Sequence, residues 1–208
     1  MDQIYSYKSA IFYDIIKLNE EVYEKSEKIM MNNNISNTLV NNKNTEKINI
    51  KNDSKLPVKP AKVNYQKELE KILKKVEEEG TCPSLLLHSC CGPCSSYVLE
   101  YLGQYFEITV FYYNPNIYPS EEYWYRVDEQ KKIIDLTRTK YPIHMTEGAY
   151  EVDRFYETIA GMEDLPEGGA RCHRCYELRM SEAAKLAKEE GFDYFTTTLT
   201  IGPHKNSQ

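Results

Sequence analysis

Two short apolar runs separated by a helical stretch constrain the fold of this chain more than any other feature of its sequence. Residues 84–88 form a continuous apolar run that is typical of a strand buried on both faces, and residues 107–113 form a second predicted strand. Residues 95–105, which lie between them, carry apolar side chains at helical spacing. A strand, a helix and a second strand in this order make a βαβ unit, and such a unit predicts a parallel sheet.

The alternation of helices and strands continues along the chain. Helices are predicted over residues 65–80, 120–140 with Ser120 as the N-cap, 150–162 and 176–190, and strands over residues 143–144 and 194–199. Ligands of parallel sheets bind beyond the carboxyl ends of the strands. The loops 90–94 and 114–119 both follow strands, so we expect them to be neighbours at that edge.

The composition changes near residue 60. Nine of the twenty-two residues from Met31 to Asn52 are asparagine, which favours neither helix nor strand and offers little surface to bury. We therefore divide the chain into an Asn-rich, largely disordered N-terminal extension, residues 1–60, and an α/β domain, residues 61–208.

Charge and hydropathy narrow the classes of function. The 208 residues carry a formal net charge of −6, and no apolar run approaches the ~20 residues of a membrane span. The N-terminus lacks the basic start of a secretory signal. We expect a cytoplasmic protein without a membrane partner, in which any nucleic acid would need a localised basic surface.

The arrangement of the six cysteines indicates the type of functional site. Five of them form two tight groups, Cys90-Cys91-x-x-Cys94 and Cys172-x-x-Cys175, and both groups precede predicted helices. In a reducing compartment such groups are metal ligands or redox thiols, although buried structural cysteines remain an alternative. Four sulfurs from two loops would suit zinc or an iron–sulfur cluster. Cys82 stands apart and is expected to be a half-buried ordinary thiol.

Other polar and aromatic residues near this edge allow two interpretations. His88 is expected to be a packed core histidine, while His204 with Lys205 could bind phosphate. Aromatic side chains near the edge could stack on a splayed base or simply pack in the core: Tyr112, Tyr113, Tyr118, Tyr123, Trp124 and Tyr125.

From residue 63 onward the chain resembles the epoxyqueuosine reductase family of the QueH type. The motifs that carry the resemblance follow in order: Leu87-His88-Ser89-Cys90-Cys91-Gly92-Pro93-Cys94, residues 111–117, Glu122-Tyr123 with Arg126, residues 166–172 with Cys175, residues 195–200 and residues 203–208. The Asn-rich extension has no counterpart in the family. Relatives usually continue beyond residues 203–205 with a further close cysteine pair, so the family domain is expected to be truncated at its C-terminus here.

The resemblance implies a fold and an activity. The fold is a three-layer α/β sandwich similar to the nucleotide α-hydrolase or PP-loop-like (HUP-like) group. The activity is the two-electron removal of the epoxide oxygen from epoxyqueuosine at the tRNA wobble position, with an unidentified electron donor. By the same resemblance Cys90, Cys91, Cys172 and Cys175 hold a [4Fe–4S] cluster, and Cys94 holds a second, mononuclear iron.

Several roles stay open at the level of sequence. Water, Tyr113 and His173 are the candidate proton donors, and Arg126, Arg171, Arg174 and Lys205 are candidate contacts to tRNA phosphates. The competing hypotheses are a zinc- or thiol-dependent enzyme on the same scaffold and a non-catalytic metal-bound module. Metal identity separates them from a reductase, because zinc alone cannot supply electrons.

Overall fold

The structure, a computed structural model, describes residues 16–17 and 64–200. The strands are β1 (Ile16–Lys17), β2 (Ser84–His88), β3 (Glu107–Tyr112), β4 (Ile143–Glu147) and β5 (Tyr194–Thr197). The helices are α1 (Tyr65–Glu79), α2 (Gly92–Leu102), α3 (Ser120–Leu136), α4 (Val152–Thr158) and α5 (Ala170–Glu189). This alternation confirms the predicted α/β class.

The described strands form one sheet in the order β1-β5-β2-β3-β4. Strands β2, β3, β4 and β5 are parallel, and Leu85 of β2 lies opposite Ile108 of β3 and Tyr194 of β5. β1 pairs antiparallel with β5 at the edge. β2 therefore lies inside the sheet with a neighbour on each side, which explains its unbroken apolar sequence.

The sheet is covered on one face by α1, α2 and α3. Alternate strand residues such as Leu85, Leu87 and Ile108 point to this face, where they pack with residues of α1 and α2. The members of this core are 8% exposed or less: Leu69, Leu73, Val76, Leu85, Leu87, Val98, Leu99, Leu102, Phe106, Ile108, Val110 and Tyr194. Burial of these side chains supplies the main driving force for folding, at about 1.5–3 kcal/mol each.

The opposite face is covered by α4 and α5 and is more polar. Here the Phe111 ring stacks on Tyr113, whose hydroxyl donates to Glu151 at 3.0 Å. Arg154 of α4 bonds both Glu151 and Glu182 of α5. The two faces together give the three layers that the resemblance implied.

Some helix bounds differ from the prediction because of local backbone chemistry. α2 begins at Gly92 rather than at residue 95, since Pro93 fits the first turn of a helix, where its missing N–H costs nothing. Ser120 is the first helical residue of α3 and Pro119 occupies the N-cap, so Ser120 is not the N-cap. The same helix ends at Leu136 rather than at residue 140.

The elements of the second half also differ in extent. α4 is shorter than the predicted 150–162, and the chain turns after it at Gly161 with φ +77°. α5 begins at Ala170, so the second cysteine group lies inside its first turns rather than before the helix. β5 ends at Thr197 instead of at residue 199.

The predicted disordered extension, residues 1–60, lies outside the described residues except for Ile16 and Lys17. Within residues 64–200, none of the helices is long and apolar enough to cross a membrane.

Candidate metal centre

The cysteines meet at the carboxyl edge of the sheet, where the strand order reverses. The chain runs from β2 to β3 and β4 on one side, and then returns to place β5 on the other side of β2. The strand order thus changes direction at β2, and ligands of such sheets usually bind beyond the carboxyl ends of the strands at this point. Cys90 follows β2 and Thr198 follows β5 at this edge.

Thr198 fixes the first cysteine of the loop after β2. Its hydroxyl oxygen accepts a hydrogen bond from the Cys90 amide at 2.9 Å and donates to Cys90 Sγ at 3.3 Å. The Thr198 amide in turn donates to the carbonyl oxygen of His88 at 2.9 Å. The carboxyl ends of β2 and β5 thus hold the Cys90 sulfur in one place.

The sulfurs of Cys90, Cys91 and Cys94 lie within 4.8 Å of one another. Hydrogen bonding to Cys90 raises the pKa of the Cys91 thiol, and hydrogen bonds to both neighbouring thiols raise the pKa of Cys94. Cys91 and Cys94 resist ionisation because a thiolate at a neighbouring cysteine would repel theirs. A bound metal cation removes this obstacle, since it deprotonates the thiols that coordinate it.

The second cysteine group approaches the same space from α5. Cys172 lies in the first turn of the helix, and its sulfur accepts a hydrogen bond from the Gly168 amide at 3.3 Å. Cys175, one turn later, is buried. Both line a cavity of about 350 Å³ that Cys90, Cys91 and Cys94 also line. The expectation that folding brings the two groups together is therefore confirmed.

The rest of the cavity wall mixes polar and apolar side chains. They are Asn114, Asn116, Ile117, Arg126, Glu167, Tyr176, Arg179 and Leu199. Asn114 confirms that the loops 90–94 and 114–119 are neighbours, because its Nδ2 donates to the carbonyl oxygen of Ser89 at 3.0 Å. Tyr176 and Arg179 were not among the residues predicted to lie at the site. For Arg179, the spacing of four residues from Cys175 could have indicated it, because residues at this spacing share a helix face.

A buried polar network connects α3 to the residues on either side of the first cysteine loop. Gln130 of α3 accepts hydrogen bonds through Oε1 from Ser89 at 2.7 Å and from Ser95 at 3.0 Å. All three side chains are fully buried. Sequence reasoning missed this network, because Gln130 has no signal of its own in an otherwise polar helix.

The structure separates the two histidine predictions. His88 is fully buried, and its ring nitrogens lie 3.0 Å from Thr197 Oγ1 and 3.1 Å from the Tyr113 carbonyl oxygen. Burial lowers its pKa to about 3, so it is a neutral core histidine, as predicted. His173 is exposed and does not line the cavity.

The remaining predictions have mixed outcomes. Cys82 was expected to be half-buried but is exposed, because it lies in the connection before β2. The Tyr113 hydroxyl donates to Glu151, and Tyr113 does not line the cavity. Of the aromatic group, Tyr112, Tyr113 and Tyr123 are core residues, whereas Tyr118, Trp124 and Tyr125 are exposed.

Three of the four candidate phosphate contacts have a partner among the described residues. Arg126 pairs with Glu122 at 2.7 Å and Arg174 pairs with Glu177 at 2.9 Å. Arg171 donates to the carbonyl oxygen of Glu163 at 2.7 Å. His204 and Lys205 lie outside the described residues.

The donor set of the cavity fits a thiolate-bound metal centre. Thiolates are soft ligands that suit iron–sulfur clusters and zinc, whereas Mg²⁺ and Ca²⁺ prefer oxygen. Five sulfurs are more than one tetrahedral zinc ion requires. The residues present therefore fit the cluster that the resemblance implies, with one thiol left over.

Comparison with known proteins agrees with the motifs. The sequence profile of the family described as "Epoxyqueuosine reductase QueH" matches residues 85–208. A protein of that name from Staphylococcus epidermidis is 41% identical over 155 residues, which cover 73% of this chain and 65% of the relative. The protein of that name from Streptococcus pyogenes serotype M1 is 41% identical over 149 residues, 71% of this chain and 58% of the relative.

A third relative carries the same name. The Haemophilus influenzae protein is 36% identical over 151 residues, which cover 71% of this chain and 60% of the relative. The chain thus matches somewhat less than two thirds of the length of these curated relatives. The profile covers more than half of the chain, and the matched range includes both cysteine groups. The chain belongs to the epoxyqueuosine reductase QueH family.

Proposed function

We propose that this chain acts as an epoxyqueuosine reductase, which removes the epoxide oxygen of epoxyqueuosine in tRNA to give queuosine. The observation that supports this most is that five thiols, from two segments far apart in the sequence, line one cavity at the carboxyl edge of the sheet. Membership of the family supports the substrate. The reaction consumes two electrons and two protons and releases the oxygen as water.

The ligands proposed for a [4Fe–4S] cluster are Cys90, Cys91, Cys172 and Cys175. Cys94 is proposed as the ligand of a second iron, and its sulfur lies within 4.8 Å of those of Cys90 and Cys91. When bound, such a group supplies electrons one at a time, and an open iron supplies a Lewis acid. The amide of Gly168 and the hydroxyl of Thr198 hold two of the sulfurs by hydrogen bonds.

A proton donor for the departing oxygen must lie at the cavity. Tyr176 lines it, and burial raises the pKa of its phenol, so the hydroxyl remains protonated at neutral pH. Water is the alternative donor. Ile117 and Leu199 form apolar parts of the wall and limit the number of water molecules near the thiols.

The proposed macromolecular partner is tRNA. Arg126 lines the cavity and its side chain is 43% exposed, so a phosphate can compete with Glu122 for its guanidinium. Arg171, Arg174 and Lys205 are proposed as further phosphate contacts. The electron donor is a separate molecule. The grouping of the thiols suits a reducing compartment, and this supports a cytoplasmic location as part of the proposal.

The first experiment measures iron, sulfide and zinc in the full chain purified without oxygen, with visible and EPR spectra. Turnover is then followed by mass spectrometry of nucleosides from tRNA that contains epoxyqueuosine. The Cys172→Ala variant tests whether the cysteines of the cavity hold the cluster. Cys82→Ala is the matched control, because Cys82 is exposed and does not line the cavity.

We expect about four iron and four sulfide per chain, with one more iron at the second position. Cys172→Ala should lose the visible spectrum and at least about 10³-fold of the turnover, whereas Cys82→Ala should keep both. Normal turnover in Cys172→Ala overturns the ligand assignment. One zinc without sulfide favours the zinc-dependent enzyme or the metal-bound module instead.

A further inference from the structure

Arg179 places a buried positive charge beside the cysteine cavity. It lies on α5 one turn after Cys175 and is 4% exposed. Within residues 64–200, no Asp or Glu side chain forms a salt bridge with its guanidinium. Burial of a charge strongly opposes folding unless an opposite charge lies nearby. The position of Arg179 therefore calls for a source of negative charge in or near the cavity.

The contacts of Arg179 show where that charge can come from. Its Nη1 donates towards Cys175 Sγ at 4.0 Å, and its Nη2 donates to Asn114 Oδ1. Its Nε is buried and has no partner among the described residues. Asn114 is neutral, so the contact that brings Arg179 next to a possible negative charge is the one with the sulfur of Cys175, a proposed cluster ligand.

The other groups at this cavity do not neutralise Arg179. Glu167 lines the cavity but is exposed and makes no salt bridge with Arg179. Thiolates are thus the available counter-charge for the guanidinium.

Arg179 also connects the two cysteine groups. Asn114 accepts from Arg179 through Oδ1 and donates through Nδ2 to the carbonyl oxygen of Ser89, the residue before Cys90. The bridge runs from the helix that carries Cys175 to the loop that carries Cys90. A substitution of Arg179 is therefore expected to affect the surroundings of both cysteine groups.

We infer that Arg179 is a positioning residue that raises the reduction potential of a cluster bound by these thiolates. The inference rests on the proposed function, because it requires that cluster. One-electron reduction by an external reductant adds an electron and no proton, so the site gains one negative charge. A nearby buried cation stabilises the reduced form more than the oxidised form, and the reduction potential rises.

The test is an EPR-monitored titration of the iron-loaded full chain with sodium dithionite. Arg179→Met removes the charge at similar side-chain length, and Arg179→Lys keeps it. Lys185→Met is the matched control, because Lys185 is on the same helix with a 65% exposed side chain. Arg179→Met should shift the reduction equilibrium at least about tenfold towards the oxidised form, a potential about 59 mV lower. Arg179→Lys should shift it less, and Lys185→Met should leave it unchanged.

A second variant protects the test against a folding defect. Arg179→Gln also removes the charge but keeps an N–H donor on the side that faces Asn114 Oδ1, so it should lower the potential in the same direction. If Arg179→Met does not bind iron, the potential is measured in Arg179→Gln instead. Iron-loaded variants with the potential of the original chain overturn the role of Arg179 and leave the proposed function standing. An original chain that binds no iron overturns the proposed function and this inference with it.

Discussion

The two cysteine groups differ in what holds them. The loop of Cys90 lies between the ends of β2 and β5 and above Gln130, and its buried hydroxyl and amide groups are hydrogen-bonded to residues far away in the sequence. The group of Cys172 follows an exposed stretch, residues 163–168, and hydrogen bonds within its own segment position its sulfur.

The two cysteine groups therefore line one cavity although different kinds of contact hold them. The sheet determines the position of the first group, because its hydrogen bonds reach β5, α3 and the loop after β3. The second group depends on α5, whose Ala183 and Ala187 are fully buried while its first turn is partly exposed. We expect the first group to be preformed and the second to open more readily.

Hydrogen exchange should show the largest contrast. Amides of residues 86–90 should exchange at least about a hundredfold more slowly than those of residues 161–169, because the first are hydrogen-bonded inside the sheet and at its edge, whereas the second lie mostly in exposed turns. Exchange followed by mass spectrometry on the metal-free chain measures this, with β3 as the protected reference. Equal protection of the two segments would contradict the comparison.

Loss of the support beneath the first group should cost the most stability. Gln130→Ala removes the acceptor that the Ser89 and Ser95 hydroxyls share, so that they keep only the carbonyl oxygens of Cys91 and Gly92, and it opens a cavity; the free energy of unfolding should fall by about 2 kcal/mol. Urea unfolding measures it. Gln104→Ala, on an exposed side chain, should change it by no more than about 0.5 kcal/mol. Similar values for both variants would show that the network does not stabilise the loop.

The turn before α5 should show a smaller, local effect. Gly168 has φ +80°, and Gly191 has φ +72° at the other end of the helix. Alanine at either position should lower the free energy of unfolding by about 1 kcal/mol, because a side chain disfavours that backbone conformation. Only Gly168→Ala should also reduce the iron bound per chain, since the strained turn would move the backbone amide of residue 168 away from Cys172 Sγ. Equal iron content in the two variants would refute this role of the turn.

The smallest effect concerns Tyr123, which is buried beside Tyr112 near the first group. Burial raises the pKa of Tyr123 to about 12, and its hydroxyl has no hydrogen-bond partner among the described residues. In the unfolded chain the Tyr123 hydroxyl releases its proton from about pH 10. Its contribution to the free energy of unfolding is therefore fully present below pH 10 and is lost as the pH rises towards 12.

Tyr123→Phe should therefore unfold like the original chain at pH 7 and lose less stability between pH 9 and 11, where the difference can be about 1 kcal/mol. Urea unfolding at several pH values checks the slope. An unchanged slope would mean that other tyrosines account for the alkaline sensitivity.

Patterns that are local in the sequence predicted most of the fold. The apolar runs at residues 84–88 and 107–112 gave strands at nearly the predicted bounds, and the βαβ order gave the parallel sheet. The helix ends were less predictable. Pro93 inside the first turn of α2 and the start of α5 at Ala170 both depend on how the backbone enters the helix.

The candidate site, like the fold, was predictable only in those features that local sequence patterns encode. The cysteine groups and the loop at residue 114 were visible because the chemistry of thiols and the position of loops after strands are local signals. Whether Cys90, Cys91, Cys172 and Cys175 hold the cluster, and whether Cys94 binds a second iron, stays a prediction that the metal analysis tests.

Patterns along the sequence were enough to predict the α/β alternation, the sheet edge at which the cysteines lie, and the thiol chemistry of the site. Which polar residues hydrogen-bond around those thiols depends on the tertiary structure. Gln130 reaches Ser89 across 41 positions and Arg179 reaches Asn114 across 65. Such pairs depend on which helix packs over which strand, so no pattern along the chain could reveal them. Their burial, and with it the charge beside the cavity, is a property of the folded protein.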